Sequence, residues 1–554
     1  MGAIALACAA SASHADLDPA KIRDLGKIQA GPITSLADPF ATRDPLPASG
    51  VTICSNVPVN NFAGNHAGAI SVWSYVAPSG REYALLTLTG GTGVVEVTDP
   101  ASPRIIATIP GPANYWREVK VVGDRAYAVS EGGGGVQVID LSRVDEGIAT
   151  EIARVQQGGQ TTAHTISANV ESNTLYVNGA NVANGGLLAM DLSNPDAPAI
   201  AGAWTESYVH DSQIVTWTDG PYAGREIAFC AAPSRGLVVV DCTDKSNMVT
   251  LASVSYSTRR YTHQCWLSED RTRLFLCDER DERDGVVPMS TTYVFNVINP
   301  ASPVLIGSYQ MSTTATDHNL MTRDGYVFVA GYRSGLRIVA GASDPATAHE
   351  IGFVDTFPND DDARFNGAWG IDTSLPSGVV LIADTARGLF VLWPDCVRES
   401  TLRFTVLPET PTNPGDSITA ETIVGQAGVA ADPTSVRIVA SIGGQDSTLP
   451  MTPLGQSKYE ASLPDAPDDV DVSYRVEARA IDGRWFTSDT FVVQQGVAPC
   501  PADLSGDRVL DSSDFLAFLT LYASGDSAAD LDADGSLTSG DFLSYLNLYT
   551  QGCH

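Results

Sequence analysis

Two sets of residues stand out for the chemistry they could do. Near the end of the chain Asp503, Ser505, Asp507, Val509, Asp511 and Asp514 are matched, at an offset of 27 residues, by Asp530, Asp532, Asp534, Ser536, Thr538 and Asp541. These are positions one, three, five, seven, nine and twelve of a loop whose oxygens, one of them a backbone carbonyl, can wrap a calcium ion. Gly535 supplies the sharp turn at position six of the second loop, where Arg508 stands in the first, so the second loop is the better formed. The other set is spread through the N-terminal two-thirds. His66, Trp116, His164, His210, His263, His318 and Asn366 occupy one recurring place, and five of the chain's eight histidines are among them. Neutral imidazoles ligate zinc, copper, iron or nickel, with Glu118, Asp211, Asp278, Glu279 and Asp317 near enough in sequence to serve as ligands or as acceptors behind them. The same recurrence fits seven structural ties between neighbouring units, and residue types leave both readings open.

What positions the histidines is a repeat. A strand pattern of Gly, apolar, any, apolar, apolar recurs as Gly93-Val-Val-Glu-Val, Gly135-Val-Gln-Val-Ile, Gly186-Leu-Leu-Ala-Met, Gly236-Leu-Val-Val-Val, Thr292-Tyr-Val-Phe-Asn, Gly335-Leu-Arg-Ile-Val and Gly388-Leu-Phe-Val-Leu. Two β-rich runs precede each copy, and a proline-rich turn with another short strand follows most of them. Four short strands per repeat of about 40–55 residues predict a propeller blade, and seven repeats predict a mainly β, seven-bladed β-propeller over residues 20–396. The recurring polar position opens the first strand of each repeat, the strand that lines the central channel, so the histidines converge near one channel mouth. Ile22–Ile28 has the look of a fourth strand and is expected to close the ring from the N-terminus.

Beyond the repeats, residues 397–498 alternate in half-buried strands separated by Asn413-Pro-Gly and Asp482-Gly turns, which predicts an immunoglobulin- or fibronectin-like sandwich. That domain reads as a spacer, with carbohydrate binding as the alternative. In residues 499–554 each calcium loop runs into a helix, and Phe515, Leu516, Phe518, Leu519, Leu521 and Tyr522 recur as Phe542, Leu543, Tyr545, Leu546, Leu548 and Tyr549. Nine acidic side chains against one Arg in this module would repel one another unless a cation ordered it.

A net charge of −32 argues against nucleic acid or an anionic membrane surface as partner. Residues 1–15 are small and apolar and end in Ser13-His14-Ala15, as an export signal cut at its end would, although a basic start is missing; Ala5-Leu6-Ala7-Cys8 is a lipoprotein-like alternative. No later segment is long and apolar enough to span a bilayer. Losing Cys8 with the leader leaves eight cysteines, an even number suited to an oxidising compartment. Position pairs Cys500 with Cys553 and Cys54 with Cys396. A hairpin turning near Asp270-Arg271 would set Cys265 opposite Cys277, leaving Cys230 with Cys242 by elimination.

These residues resemble known families. The Gly-apolar strands resemble the LVIVD repeat of bacterial surface proteins. Trp116-Arg-Glu-Val-Lys, His210-Asp-Ser-Gln-Ile, His263-Gln-Cys-Trp-Leu, His318-Asn-Leu and Phe365-Asn-Gly-Ala-Trp together resemble the choice-of-anchor B family, over roughly residues 50–394. The paired EF-hand-like loops and helices, with Asp closing each loop and Cys500-Pro501 and Gly552-Cys553 flanking them, resemble a dockerin of the GC type. The choice-of-anchor B resemblance implies an extracellular domain with interchangeable anchors and no established catalysis; the dockerin resemblance implies a calcium-ordered module that docks onto a cohesin-like domain or a cell-surface scaffold.

The sequence therefore predicts a secreted or surface-held propeller that binds a protein or glycan and is tethered by its tail. An extracellular enzyme, a metal-assisted hydrolase acting on polysaccharide from the channel, is the alternative, and a ligand-free architectural platform is a third. Catalytic residues are unassigned: there is no His-Glu-x-x-His motif, no Gly-x-Ser-x-Gly elbow and no phosphate loop.

Overall fold

The computed structural model describes residues 46–397, most of 402–494 and parts of 515–551. The leader, residues 1–15, and Ile22–Ile28 lie outside them. The chain forms two compact units that divide near Thr405.

In the first unit the strands pair antiparallel in sequence order into sheets of four. Sheet 1 begins with Ala69–Val76, sheet 2 with Arg117–Val122, sheet 3 with Thr165–Asn169, sheet 4 with Asp211–Thr216, sheet 5 with Thr262–Leu267, sheet 6 with Asn319–Arg323 and sheet 7 with Ala368–Asp372. Each of these first strands packs beside the first strand of the next sheet, and Ala368–Asp372 packs beside Ala69–Val76, so the series returns on itself as a β-propeller. The ring is closed by Thr52–Val57, which pairs with Gly388–Trp393 as the fourth strand of sheet 7. Among the described residues this strand supplies the closure expected from the N-terminal side. Ala48–Ser49 adds a short fifth strand to sheet 6.

The core lies between sheets. Along Gly236–Asp241, Leu237 and Val239 pack with Leu274 and Phe295 of sheet 5, whereas Val238 and Val240 pack with Tyr176 and Leu187 of sheet 3. A strand buried on both faces needs an unbroken apolar run, and the two-residue side-chain period sends alternate residues to opposite neighbours. Each buried Leu or Phe contributes roughly 1.5–3 kcal/mol, and clusters of this kind recur between every consecutive pair of sheets. The repeated glycine has a definite cause. At Gly236 and Gly388 φ is +95° and +89°, and an added Cβ would sit 2.3 and 2.2 Å from a fourth-strand carbonyl, that of Val254 and Val57. Only a residue without a side chain fits there. In every sheet a bulge interrupts the pairing of the third and fourth strands, as between Val239 and Val240, and increases the twist.

No disulfide links the six described cysteines, Cys54, Cys230, Cys242, Cys265, Cys277 and Cys396, contrary to the expected pairs. The hairpin sets Leu267 opposite Leu274 and keeps that register as far as Gln264 opposite Cys277, so Cys265 faces Leu276, and the two sulfurs enter different cores. Cys230 stands opposite Val238, four residues before Cys242. Cys54 packs towards sheet 1 and Cys396 towards sheet 6, on opposite faces of sheet 7. Cys500 and Cys553 lie outside the described residues.

In the second unit Thr419–Gly428, Lys458–Ser462 and Thr452–Gly455 form one sheet, and Gln445–Pro450, Arg437–Ile442, Asp471–Arg479 and Trp485–Thr487 form another, with Phe491–Gln494 also paired to Asp471–Arg479. Ile438, Ala440, Val472, Tyr474, Val476 and Ala478 are buried. Towards its end Phe518 stacks on Tyr545 at 4.3 Å, in a cluster with Phe515, Tyr522, Phe542 and Tyr549. Residues from the two copies of the tail duplication thus share one core, beside the helix Ser539–Gln551.

Candidate functional site

Where the first strands of the propeller begin, seven side chains surround one end of the channel. They are Ile70, Trp116, His164, His210, His263, His318 and Trp369, and they line a narrow cavity of about 30 Å³ together with Glu118, Asp211 and others. At roughly 10–15 Å³ for each water, that is space for an ion or two to three waters. The four consecutive histidines are buried and overlap in a staircase, with ring centroids 4.1, 4.3 and 4.2 Å apart; Tyr332 follows His318 at 4.3 Å.

Hydrogen bonds fix how these rings present their nitrogens. His263 Nδ1 lies 3.0 Å from the carbonyl of His318, and His318 Nδ1 lies 2.8 Å from the carbonyl of Trp369. A carbonyl only accepts, so both Nδ1 atoms carry hydrogen, and each bond ties one sheet to the next. In the neutral rings Nε2 is then a lone-pair donor. Both Nε2 atoms are turned towards Glu279 Oε1, at 3.9 Å from His263 and 3.6 Å from His318. The Tyr332 hydroxyl donates to the same carboxylate oxygen.

His164 and His210 are arranged differently. Their Nε2 atoms are 3.1 Å apart, so one donates to the other. His164 Nδ1 is 2.7 Å from Glu131 Oε1 and donates to that carboxylate, which leaves His210 Nε2–H as the donor to a neutral His164. His210 Nδ1 then accepts from the Tyr261 hydroxyl, 3.1 Å away. The result is a directed chain, Tyr261 to His210 to His164 to Glu131, along which a proton can be handed on. Nearby, burial first and then the Glu118 carboxylate push the Asp211 carboxyl up to about 8, against the Lys120 ammonium, the Ser212 N–H and His164. Glu118 itself pairs with Lys120 and accepts from Ile166 N–H at 3.1 Å.

His263, Glu279 and His318 offer three buried ligand atoms within 4.8 Å of one another. Ligands about 2.0–2.1 Å from a tetrahedral ion stand roughly 3.3 Å apart, so the two nitrogen–carboxylate separations of 3.9 and 3.6 Å would close by about 0.6 and 0.3 Å around an ion. Two histidines whose other nitrogens donate to backbone carbonyls, and a carboxylate held by a tyrosine, are the outer support that metal ligands require. The donor set fits a transition metal with an open fourth position.

Of the predicted ring, His164, His210, His263 and His318 come together and Trp116 joins them. His66 and Asn366 do not line the cavity. His66 Nε2 is 2.8 Å from the carbonyl of Ala63, in the loop before sheet 1, and Asn366 Oδ1 accepts from Arg333 Nε at 2.9 Å. Their places are taken by Ile70 and Trp369, because the channel-facing residues of sheets 1 and 7 lie four and three positions later. Glu118, Asp211 and Glu279 are in place as expected, while Asp278 accepts from the backbone of Arg260 and Tyr261 instead. Tyr261, Tyr332 and Glu131 were not foreseen. Tyr261 stands two residues before His263, a spacing that carried no signal alone.

In the tail, the first loop's residues Asp503, Ser505, Asp507, Val509, Asp511 and Asp514, and Asp530, Asp532, Asp534 and Ser536 of the second, lie outside the described residues. Asp541, at position twelve, is buried; its oxygens accept from Leu531 N–H at 2.9 Å and Thr538 N–H at 2.7 Å.

Residues 227–256, the second to fourth strands of sheet 4, match the family model of the LVIVD repeat. No curated protein matches the chain. Among solved structures the chain is similar to a protein from Lactobacillus plantarum, at 14% identity over 69% of this chain and 94% of that one, with a TM-score of 0.40. It is similar also to the periplasmic gluconolactonase PpgL of Pseudomonas aeruginosa, at 14% identity over 65% and 92% with a TM-score of 0.40. A third is Sqt1 of Saccharomyces cerevisiae, at 9% identity over 59% and 96%, again with a TM-score of 0.40.

Proposed function

We propose that this chain is an exported, seven-bladed β-propeller binding protein of the choice-of-anchor kind, and that His263, Glu279 and His318 hold a transition metal ion through which it takes a ligand at the channel mouth. A sandwich spacer would join the propeller to a dockerin-like tail, ordered by calcium and docked on a cohesin-like domain or surface scaffold. One observation carries the metal reading: both histidines use Nδ1–H on the next sheet and turn Nε2 to the same carboxylate oxygen. The inter-sheet tie and the metal ligand, alternatives when only the residue types are considered, become two nitrogens of one ring. The ion would supply Lewis acidity towards an oxygen of the ligand. The protein's part is to hold the two lone pairs and the carboxylate in place in a site closed on one side.

Export is supported by the leader-like residues 1–15, and no helix among the described residues is long and apolar enough to cross a membrane. A second reading, a metal-assisted hydrolase, is favoured by the Tyr261–His210–His164–Glu131 chain and by Asp211, whose carboxyl titrates near neutrality as a general acid or base must.

The test is metal content of the full chain, followed by titration of the chelator-treated chain with zinc. One equivalent is expected, with affinity falling roughly 100-fold or more in His318→Ala and Glu279→Gln as a ligand is lost. Absence of zinc binding, or equal binding by both variants, would leave the histidines as ties between sheets only.

A further inference from the structure

Behind the histidine site a second cluster is made of oxygen atoms. The loop after Arg273–Asp278 leads through Asp281 and Glu282 to Ser290, and packs on the segment 311–318 that leads into sheet 6. Ser290 N–H donates to the Thr313 carbonyl and Met311 N–H to the Ser290 carbonyl, each at 2.9 Å. This brings Asp281, Glu282 and Asp317 together, all buried, with one oxygen of each within 4.8 Å of the others. Asp281 accepts from Tyr293 OH at 2.6 Å and from Glu282 N–H at 3.0 Å, and Glu282 Oε1 accepts from Thr291 N–H at 2.8 Å. Asp317 is fully buried, with the weak Cys277 S–H as a donor and no N–H or O–H directed at either oxygen; none reaches Glu282 Oε2 either. The hydroxyls of Ser290 and Thr316, on the same stretch of chain, are buried and unbonded as well, and those of Thr292 and Tyr309 face each other.

A buried carboxylate without an N–H or O–H donor is costly, and crowding two further carboxyls beside it adds to the cost. The charged groups that act most strongly on Asp317 are Asp281, Asp278 and Glu279, all of its own sign. The Cys277 thiol beside it is kept protonated by burial and by that carboxylate, so it offers a weak S–H and no thiolate ligand. The balance can be restored by protons or by a cation. A cation uses the lone pairs directly, and a set made of oxygen atoms selects a hard one. Oxygens bound at about 2.4 Å stand roughly 3.4 Å apart when adjacent and 4.8 Å apart when opposite, so all three atoms fit in one calcium shell.

We propose that Asp281, Glu282 and Asp317 form a calcium site within the propeller, which ties the loop after Asp278 to the segment carrying His318. It does not depend on the transition-metal reading, since it draws on other residues and another class of ion; it differs also from the tail loops. Through Glu279 and His318, which flank it in sequence, it would steady the channel site.

The experiment is calcium stoichiometry by equilibrium dialysis on the full chain and on Asp317→Asn, with unfolding temperature measured in calcium and in chelator. The wild-type chain is expected to bind one calcium more than the variant, whatever the tail binds, and the calcium-dependent rise in the unfolding of the propeller should disappear in the variant. Equal stoichiometry would overturn the proposal, as would an Asp317→Asn chain more stable than wild type in saturating calcium, the behaviour of a cluster that holds protons. Should Asp317→Asn fail to fold, Glu282→Gln is expected to lower calcium affinity at least tenfold and to abolish terbium luminescence sensitised by Tyr293 and Tyr309. Unchanged affinity and luminescence would refute the site equally.

Discussion

Asp211 gives the most direct test of the electrostatics at the channel mouth. It opens the first strand of sheet 4, and burial together with the Glu118 carboxylate moves its pKa from the ordinary carboxylate value of 3.8 up to about 8. At 1.36 kcal/mol for each unit, a shift of that size sets a ceiling of roughly 5–6 kcal/mol. The side chain borders the cavity and shares its field with Glu118 and Lys120, so about 2–3 kcal/mol is the expected net effect. The sign follows from proton binding. The folded protein keeps a proton on Asp211 over a range in which the unfolded chain has released it, so unfolding loses a proton there and stability declines as pH rises. The contribution of this group is complete below about pH 4 and is lost progressively up to about pH 8. Asp211→Asn is neutral throughout. It should match wild type near pH 4.5 and exceed it by about 2–3 kcal/mol at pH 8, measured by urea unfolding followed through the fluorescence of Trp116 and Trp369, which line the same cavity. A difference independent of pH, or a variant less stable than wild type at pH 8, would show that Asp211 is already ionised in the folded protein and would refute the argument.

Three further outcomes are expected. Gly388→Ala should destabilise the propeller by about 2–4 kcal/mol, since it combines a positive φ with a Cβ 2.2 Å from the Val57 carbonyl; Gly123→Ala, with φ +59° and nothing within 4 Å, should cost only about 1 kcal/mol by the same denaturation assay. Cys230, Cys242, Cys265 and Cys277 should be recovered as thiols when the chain is alkylated after denaturation, and should react slowly in the native protein because burial raises all four pKa values. Nitrogen-15 spectra of the metal-free chain should show His263 and His318 as Nδ1–H tautomers at neutral pH, and zinc should shift only their Nε2 resonances.

The propeller was legible in the sequence because two local requirements repeat with it. A third strand covered on both faces must be apolar at successive positions, as Leu237 to Val240 are, and in every sheet but the fifth, where Thr291 stands, it is led by a glycine because a neighbouring carbonyl occupies the place of its Cβ. Both are conditions on a few consecutive residues. Ring closure is not local. Thr52–Val57 and Ile22–Ile28 are each short and plausible as strands, and what makes the first a closing strand is pairing with Gly388–Trp393 more than 300 residues away. The Cys265–Cys277 pair failed by one residue of register: the turn sets Leu267 opposite Leu274, which puts Cys265 opposite Leu276 and sends the two sulfurs into separate cores.

At the channel the sequence identified the right residue type and most of the right positions, and the departures have one cause. Strand starts vary by a few residues between repeats, so a polar residue near the start, such as His66 or Asn366, reaches the channel only if the strand is entered at the same phase; Ile70 and Trp369 hold that phase in sheets 1 and 7. The function of the histidines depends on still finer geometry. His164 and His210 face one another through Nε2 and belong to a hydrogen-bond chain, whereas His263 and His318, at equivalent places two sheets further on, face a carboxylate. The difference arises from Glu279, delivered by the loop after the second strand of sheet 5, and from Tyr332, delivered by sheet 6. Repetition of a residue type around a ring therefore cannot by itself assign a role, because the partner that gives each histidine its chemistry comes from the unrepeated loops. It follows that the site should be altered selectively: Tyr261→Phe should disturb the His164–His210 chain and leave metal affinity at His263 and His318 intact, while Tyr332→Phe should do the reverse.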